Sequence, residues 1–148
     1  MIHDQTCLEC GAVLSEVLTC QDYFHQMLFW EAEHPAYGAQ VHHLMVLCFH
    51  LQHPSLYSPE GLDYARQLLV EFLEHGAIPE EVRRKHSLDG DSSRRKWKIK
   101  GAGDARGTYD HAMRWTMTAA NVVAGGVDNY CYNMRHWAMS IQDTLTAN

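Results

Sequence analysis

The chain has 148 residues, 46% of them apolar and 20% charged, with a formal net charge of −6 when histidine is neutral. That length supports one respectable core and is short for two ordinary domains, so a single domain over 1–148 is expected. The first residues, MIHDQTC, hold no basic region followed by an apolar run, and the longest apolar stretch, VHHLMVLCFHLQ, falls far short of a bilayer span.

The expectation is therefore a soluble, cytoplasmic protein without a membrane partner. Disulfides do not persist in a reducing compartment, so a Cys-x-x-Cys pair there points to a metal clamp or a redox pair. Charge is distributed unevenly. Eight of the twelve lysines and arginines lie between Arg83 and Lys100 against two acids, leaving an acidic body of four positive and sixteen negative residues. Histidine is uneven too: His34, His42, His43, His50 and His53 fall within twenty residues.

In chain order, residues 1–18 form an arm that carries Cys7, Cys10 and Gly11. Thr19 followed three residues later by Asp22 resembles a capping box, and Phe24, Met27, Leu28 and Glu31 recur at helical spacing, which predicts a first helix over 19–33. Pro35 disfavours helix in the residue before it and Gly38 permits a turn, so HPAYG is expected to separate this helix from the next. From about Ala39 the run is apolar on nearly every side and predicts a buried second helix halted by Pro54, antiparallel to the first across a five-residue connection. Ser58 as N-cap, Pro59 at the first helical position and Gly76 as a stop bound a third helix with an apolar stripe of Leu62, Ala65, Leu69, Phe72 and Leu73. IPEEVRRKH suggests a short helix. Residues 83–112 then form a basic, Gly-rich excursion in which KWKIK alternates like an extended segment. After Thr118, apolar residues at 127, 130, 131, 134, 137, 138, 141 and 145 mark one face of a last helix, with Gly125 and Gly126 separating a shorter helix from it.

Two thiols spaced Cys-x-x-Cys with glycine next make the turn that lets sulfur and backbone amides surround a zinc ion. A thioredoxin-like role fits less well, because no strand precedes the pair and no helix follows it directly. In an antiparallel hairpin the start of the first helix lies beside the end of the second, which brings Cys20 near His50 and His53. His42 and His53 are eleven residues apart, roughly 16 Å along a helix, and cannot share one ion. The expected metal site is Cys7, Cys10, Cys20 and His53, with His50 as the alternate fourth ligand. Three thiolates and an imidazole close the coordination shell, which is the structural pattern. Cys48 and Cys131 lie in apolar runs and are expected to be small buried hydrophobes.

Glu31, His34, His42 and His43 can meet at the opposite end of the hairpin. A carboxylate with imidazoles in a bundle is one way to build a metal enzyme. Without an HExxH or comparable spacing, a simple hydrogen bond between Glu31 and His42 is the preferred expectation. No GxSxG, Walker A or dinucleotide fingerprint occurs. RRKWKIK, Arg94 to Lys100, has a composition that can follow a nucleic-acid backbone, with Trp97 stacking a base, but the acidic body argues against nucleic acid and favours the protein's own acidic surface or a protein partner. Trp30, Tyr57 and Trp137 exceed the obvious needs of one small core, which suggests a homodimer.

Cys7-x-x-Cys10-Gly11, Cys20 followed by Glu31, the run VHHLMVLCFHLQHPSLYSPEG and the C-terminal TAANVV and RHWAMSIQDTL together resemble a family of small bacterial proteins of unknown function. The most specific part is His42 followed ten residues later by Gln52, His53 and Pro54. Asn121 stands where members often carry an acid. The resemblance implies a metal site and a helical fold, names no substrate, and draws attention to His42. The whole reading is an all-α protein, an up-and-down bundle of four main helices with an N-terminal zinc knuckle, acting as an interaction or regulatory module. The alternative is a metal-dependent enzyme centred on Glu31, His34, His42 and His43.

Overall fold

The computed structural model describes residues 5–15, 18–88, 100–101 and 106–147. It is mostly helical, with one small ladder: β1 (Gln5–Thr6), β2 (Val13–Leu14), α1 (Cys20–Glu33), α2 (Pro35–Leu51), α3 (Pro59–Leu73), α4 (Pro79–Leu88), α5 (Ala119–Ala124) and α6 (Tyr130–Ala147), with single 3-10 turns at Pro54–Leu56 and Val127–Asn129. The chain divides into two compact units. One comprises residues up to His53 together with Asp110–Asn148, and the other comprises Pro54–Tyr109.

In the first unit, β1 and β2 pair antiparallel with Gln5 opposite Leu14 and Thr6 opposite Val13. This hairpin was not expected, since two residues per strand are too few to show alternation. The capping box is present: the Thr19 side chain accepts from the Asp22 amide and the Asp22 carboxylate accepts from the Thr19 amide, so α1 begins at Cys20. The link to α2 is shorter than expected. His34 alone caps the end of α1 and the start of α2, and Pro35 occupies the first turn of α2. Proline lacks the N–H that a first helical turn leaves unsatisfied, so it starts the second helix here instead of lengthening the loop.

Contacts along the hairpin run in antiparallel order, with Glu31 meeting His42 and Phe24 meeting Phe49. The amino end of α6 lies beside the start of α2, where Tyr130 approaches Tyr37, and further along Arg135 donates to Gln40 at 2.9 Å, so these two helices run in the same direction. Met27, Val41, Met45, Cys48, Leu51, Val122, Tyr130, Met134, Trp137 and Ile141 are fully buried. Each large side chain so buried contributes about 1.5–3 kcal/mol. Gln52, also fully buried, donates to the Met117 carbonyl at 2.7 Å and fastens the end of α2 to the segment before α5. Asn121 accepts from the Thr118 amide at 2.8 Å and serves as a cap for α5.

The second unit is organised by α3, whose N-cap Ser58 accepts from the Gly61 amide. Leu62, Ala65 and Leu69 are buried, while Phe72 and Leu73 are half-buried. After α3 the chain reverses at Gly76, whose φ of +66° suits glycine, and a bond from Ala77 N–H to the Glu71 carbonyl closes the turn. Lys100 forms an antiparallel bridge with Tyr57, and the Gly107 amide donates to the Tyr57 carbonyl at 2.7 Å. The rest of RRKWKIK, Arg94 to Ile99, lies outside the described residues. Of the four main helices expected, α1, α2 and α6 lie in the first unit and α3 in the second. Tyr57 and Trp137 are buried within the chain itself, and Trp30 is half-buried against Tyr130. Among the described residues, no helix is long and apolar enough to cross a membrane.

Candidate metal centre

Cys7 and Cys10 sit in the loop of the β1–β2 hairpin. The Cys7 amide donates to the Ala12 carbonyl and the Gly11 amide to the Cys7 carbonyl, both at 2.9 Å. Gly11 has a φ of +80°, a left-handed conformation that glycine enters without steric cost and that turns the loop back on itself. The turn leaves amides aimed at sulfur: Cys10 N–H points to Cys7 Sγ and Ala12 N–H to Cys10 Sγ, each at 3.5 Å. Trp115 fastens the loop from the far end of the unit, its indole N–H donating to the Glu9 carbonyl at 3.1 Å.

Cys20 is delivered by the capping box at the first residue of α1, and His53 follows the last turn of α2. The His53 ring is buried against Phe49, with centroids 4.3 Å apart, and its Nδ1 lies 2.6 Å from the Phe49 carbonyl. Donation to that carbonyl places the proton on Nδ1 and leaves Nε2 as the coordinating atom, the arrangement by which backbone partners orient a ligand histidine.

One donor atom from each of Cys7, Cys10, Cys20 and His53 lies within 4.8 Å of the others, and the group can hold a metal ion. Cys10 and Cys20 sulfurs are 3.6 Å apart, as are Cys7 Sγ and His53 Nε2. A tetrahedral ion with metal–sulfur bonds of about 2.3 Å and metal–nitrogen bonds of about 2.0–2.1 Å has edges of about 3.8 Å and about 3.6 Å respectively, so the donor set fits such an ion. A disulfide needs sulfurs about 2.0 Å apart, and all five cysteines are free thiols.

Electrostatics within the cluster point the same way. The hydrogen bond from Cys20 pulls Cys10 down to about 4; burial opposes this, while His53 and the Ala12 amide assist. Cys20 is pushed upward because it donates to Cys10 and is removed from water. Burial works against charge on His53, yet its hydrogen bonds to Cys10 and the Phe49 carbonyl, with the negative charge on Cys10 and Cys7, raise it to about 9. Protons are shared among donors that a divalent cation would take over.

The remaining candidates are placed differently. His50, one turn before His53, has Nδ1 2.8 Å from the Val46 carbonyl and does not belong to the four-donor group. Glu31, His34, His42 and His43 do not gather at metal-binding spacing; among the described residues the Cys7, Cys10, Cys20, His53 group is the one that does. Glu31 is instead held at 2.6 Å by His42 Nδ1 and at 2.5 Å by the Tyr130 hydroxyl. His34 stacks on Tyr37, with centroids 4.7 Å apart. Cys48 is fully buried, and burial raises its thiol well above the ordinary value, as expected for a small hydrophobe. Cys131 departs from that expectation: it is only half-buried on α6.

Two residues that organise these sites, Trp115 and Tyr130, are absent from the sequence-derived set. Tyr130 appears there only as one of a stripe of apolar positions, and Trp115 lies in a segment without periodicity. No curated protein and no solved structure matches the chain. Residues 5–146 match the model of a family of unknown function (DUF5946), and the chain belongs to that family.

Proposed function

We propose that the protein binds one structural zinc ion through Cys7, Cys10, Cys20 and His53 and works as a cytoplasmic interaction or regulatory module. The observation that carries this reading is the convergence of four soft or borderline donors within 4.8 Å, drawn from a hairpin loop, the start of α1 and the end of α2. Thiolate-rich tetrahedral sites select zinc or iron over hard cations. Three sulfurs and one imidazole complete four-coordination without a position for substrate, which separates a structural ion from a catalytic one. The ion would clamp the β1–β2 hairpin to the helical hairpin, alongside the Trp115 bond to the Glu9 carbonyl. A single functional domain over 1–148 belongs to the same proposal.

The basic segment from Arg83 to Lys100 is the proposed contact surface, for a protein partner or a second copy of the chain. Nucleic acid is the weaker choice for it because the rest of the chain is acidic.

Elemental analysis of the purified chain tests the metal assignment. One zinc per chain, lost in Cys10→Ser and retained in His42→Ala, is the expected result. Full zinc content in Cys10→Ser, or none in the parent chain purified without chelator, would refute it.

A further inference from the structure

At the other end of the α1–α2 hairpin, three helices converge on one carboxylate. Glu31 on α1 is buried, its side chain 7% exposed, and both of its oxygens are engaged: Oε1 with His42 Nδ1 of α2 at 2.6 Å, Oε2 with the Tyr130 hydroxyl of α6 at 2.5 Å. Burial first, and then the adjacent carboxylate, raises the Tyr130 hydroxyl, so it remains protonated and donates. The Glu31 oxygen facing the ring accepts from His42 Nδ1–H, which leaves Nε2 as the ring nitrogen turned away from the carboxylate. His42 is half-exposed, its side chain at 53%, so the ring reaches solvent on the side away from the carboxylate. Beside it in sequence, His43 is pulled below the ordinary imidazole value by burial and by His42, so it adds little competing charge.

Tying helices together does not by itself call for this construction. A hydrogen-bonded polar cluster between helices is often replaceable by apolar side chains without loss of stability. What the carboxylate adds is a fixed tautomer and a stabilised imidazolium, the service that a carboxylate performs for a general-base histidine. The Tyr130 hydroxyl holds the second oxygen, so the carboxylate cannot swing away from the ring.

We propose that His42 is the acid–base residue of a second site, independent of the metal, which accepts a proton through Nε2 from a water or alcohol hydroxyl, with Glu31 and Tyr130 as positioning residues. In hydrolysis of an activated acyl compound, the water proton moves to Nε2 as the water oxygen bonds to the acyl carbon. The bond to the leaving oxygen breaks with its electron pair, and the Nε2 proton passes to that oxygen or to solvent, which restores the neutral ring.

The test uses the full chain with p-nitrophenyl acetate as the probe, comparing the parent with His42→Gln, Glu31→Gln and Tyr130→Phe. General-base catalysis of this kind is lost on removal of the base, so His42→Gln should slow hydrolysis by roughly tenfold or more. Glu31→Gln keeps the shape and one acceptor oxygen but turns an amide NH2 toward one of the two donors, so it should lower the melting temperature, and it should lower the rate by roughly fivefold or more because the imidazolium loses its counter-charge. Long-range nitrogen–proton NMR should show the His42 proton on Nδ1 in the parent. A His42→Gln rate within twofold of the parent, a parent no faster than free imidazole at equal histidine concentration, or a proton found on Nε2 would each overturn the proposal.

Discussion

His50 and His53 show how a single residue decides what the second helix can do. Both are imidazoles at the end of α2, one turn apart, and both place Nδ1 near a backbone carbonyl. Only His53 lies with its Nε2 against sulfur, 3.6 Å from Cys7. On the proposed zinc assignment, His53→Ala should release the ion and His50→Ala should retain it, read by metal content after gel filtration. Tyr130→Phe isolates a second single-atom effect. It removes the donor to a buried carboxylate oxygen and keeps the ring, so unfolding in urea should show a loss of about 1–3 kcal/mol, the cost of leaving a buried polar atom unsatisfied.

Among the elements, α1 shows most directly how a local signal places a functional atom. Thr19 and Asp22 set the first turn of the helix, and Cys20 is its first residue. Hydrogen bonds from the Thr19 amide and hydroxyl hold the exposed Asp22 carboxyl below its ordinary 3.8. Its folded value is thus lower than its unfolded one, and the cap's contribution is present above the ordinary carboxylate range and is lost as pH falls through the folded value. Amide protection over the first turn of α1, taken relative to the intrinsic exchange rate at each pH, should fall on acidification through that range in the parent chain. In Thr19→Ala that fall should be absent, since the turn is already loosened at neutral pH by about 1 kcal/mol. The start of α2 teaches a different lesson. Pro35 in the sequence is ambiguous between helix breaker and helix starter, and its position directly after the His34 cap makes it a starter.

For the molecule as a whole, the hairpin of β1 and β2 depends on contacts far away in sequence: the four-donor cluster and the Trp115 bond to Glu9. Two strands of two residues have no independent stability. Chelation of the proposed metal should therefore release the hairpin first, with fast exchange of its ladder amides, while the buried faces of α2 and α6 remain protected. The accompanying fall in melting temperature should be on the order of 10 °C, read by calorimetry with and without chelator. Unchanged exchange in the hairpin after complete metal removal would show that Trp115 and the ladder suffice.

What the sequence determined by itself is whatever is settled within about four residues. The Thr19 box, Ser58 before Pro59, the Gly76 reversal and the break at Gly125 and Gly126 are visible because caps and turns are made of neighbouring backbone groups. The grouping of Cys7, Cys10 and Cys20 with an imidazole was also legible, through spacing and the hairpin's expected direction. Tertiary structure alone decided the partners of Glu31 and Glu9, because Tyr130 is 99 residues from the one and Trp115 is 106 from the other, and no local pattern encodes a meeting at that range. It also decided that α3 belongs to the second unit, since an amphipathic stripe declares that a helix face is buried without declaring against what.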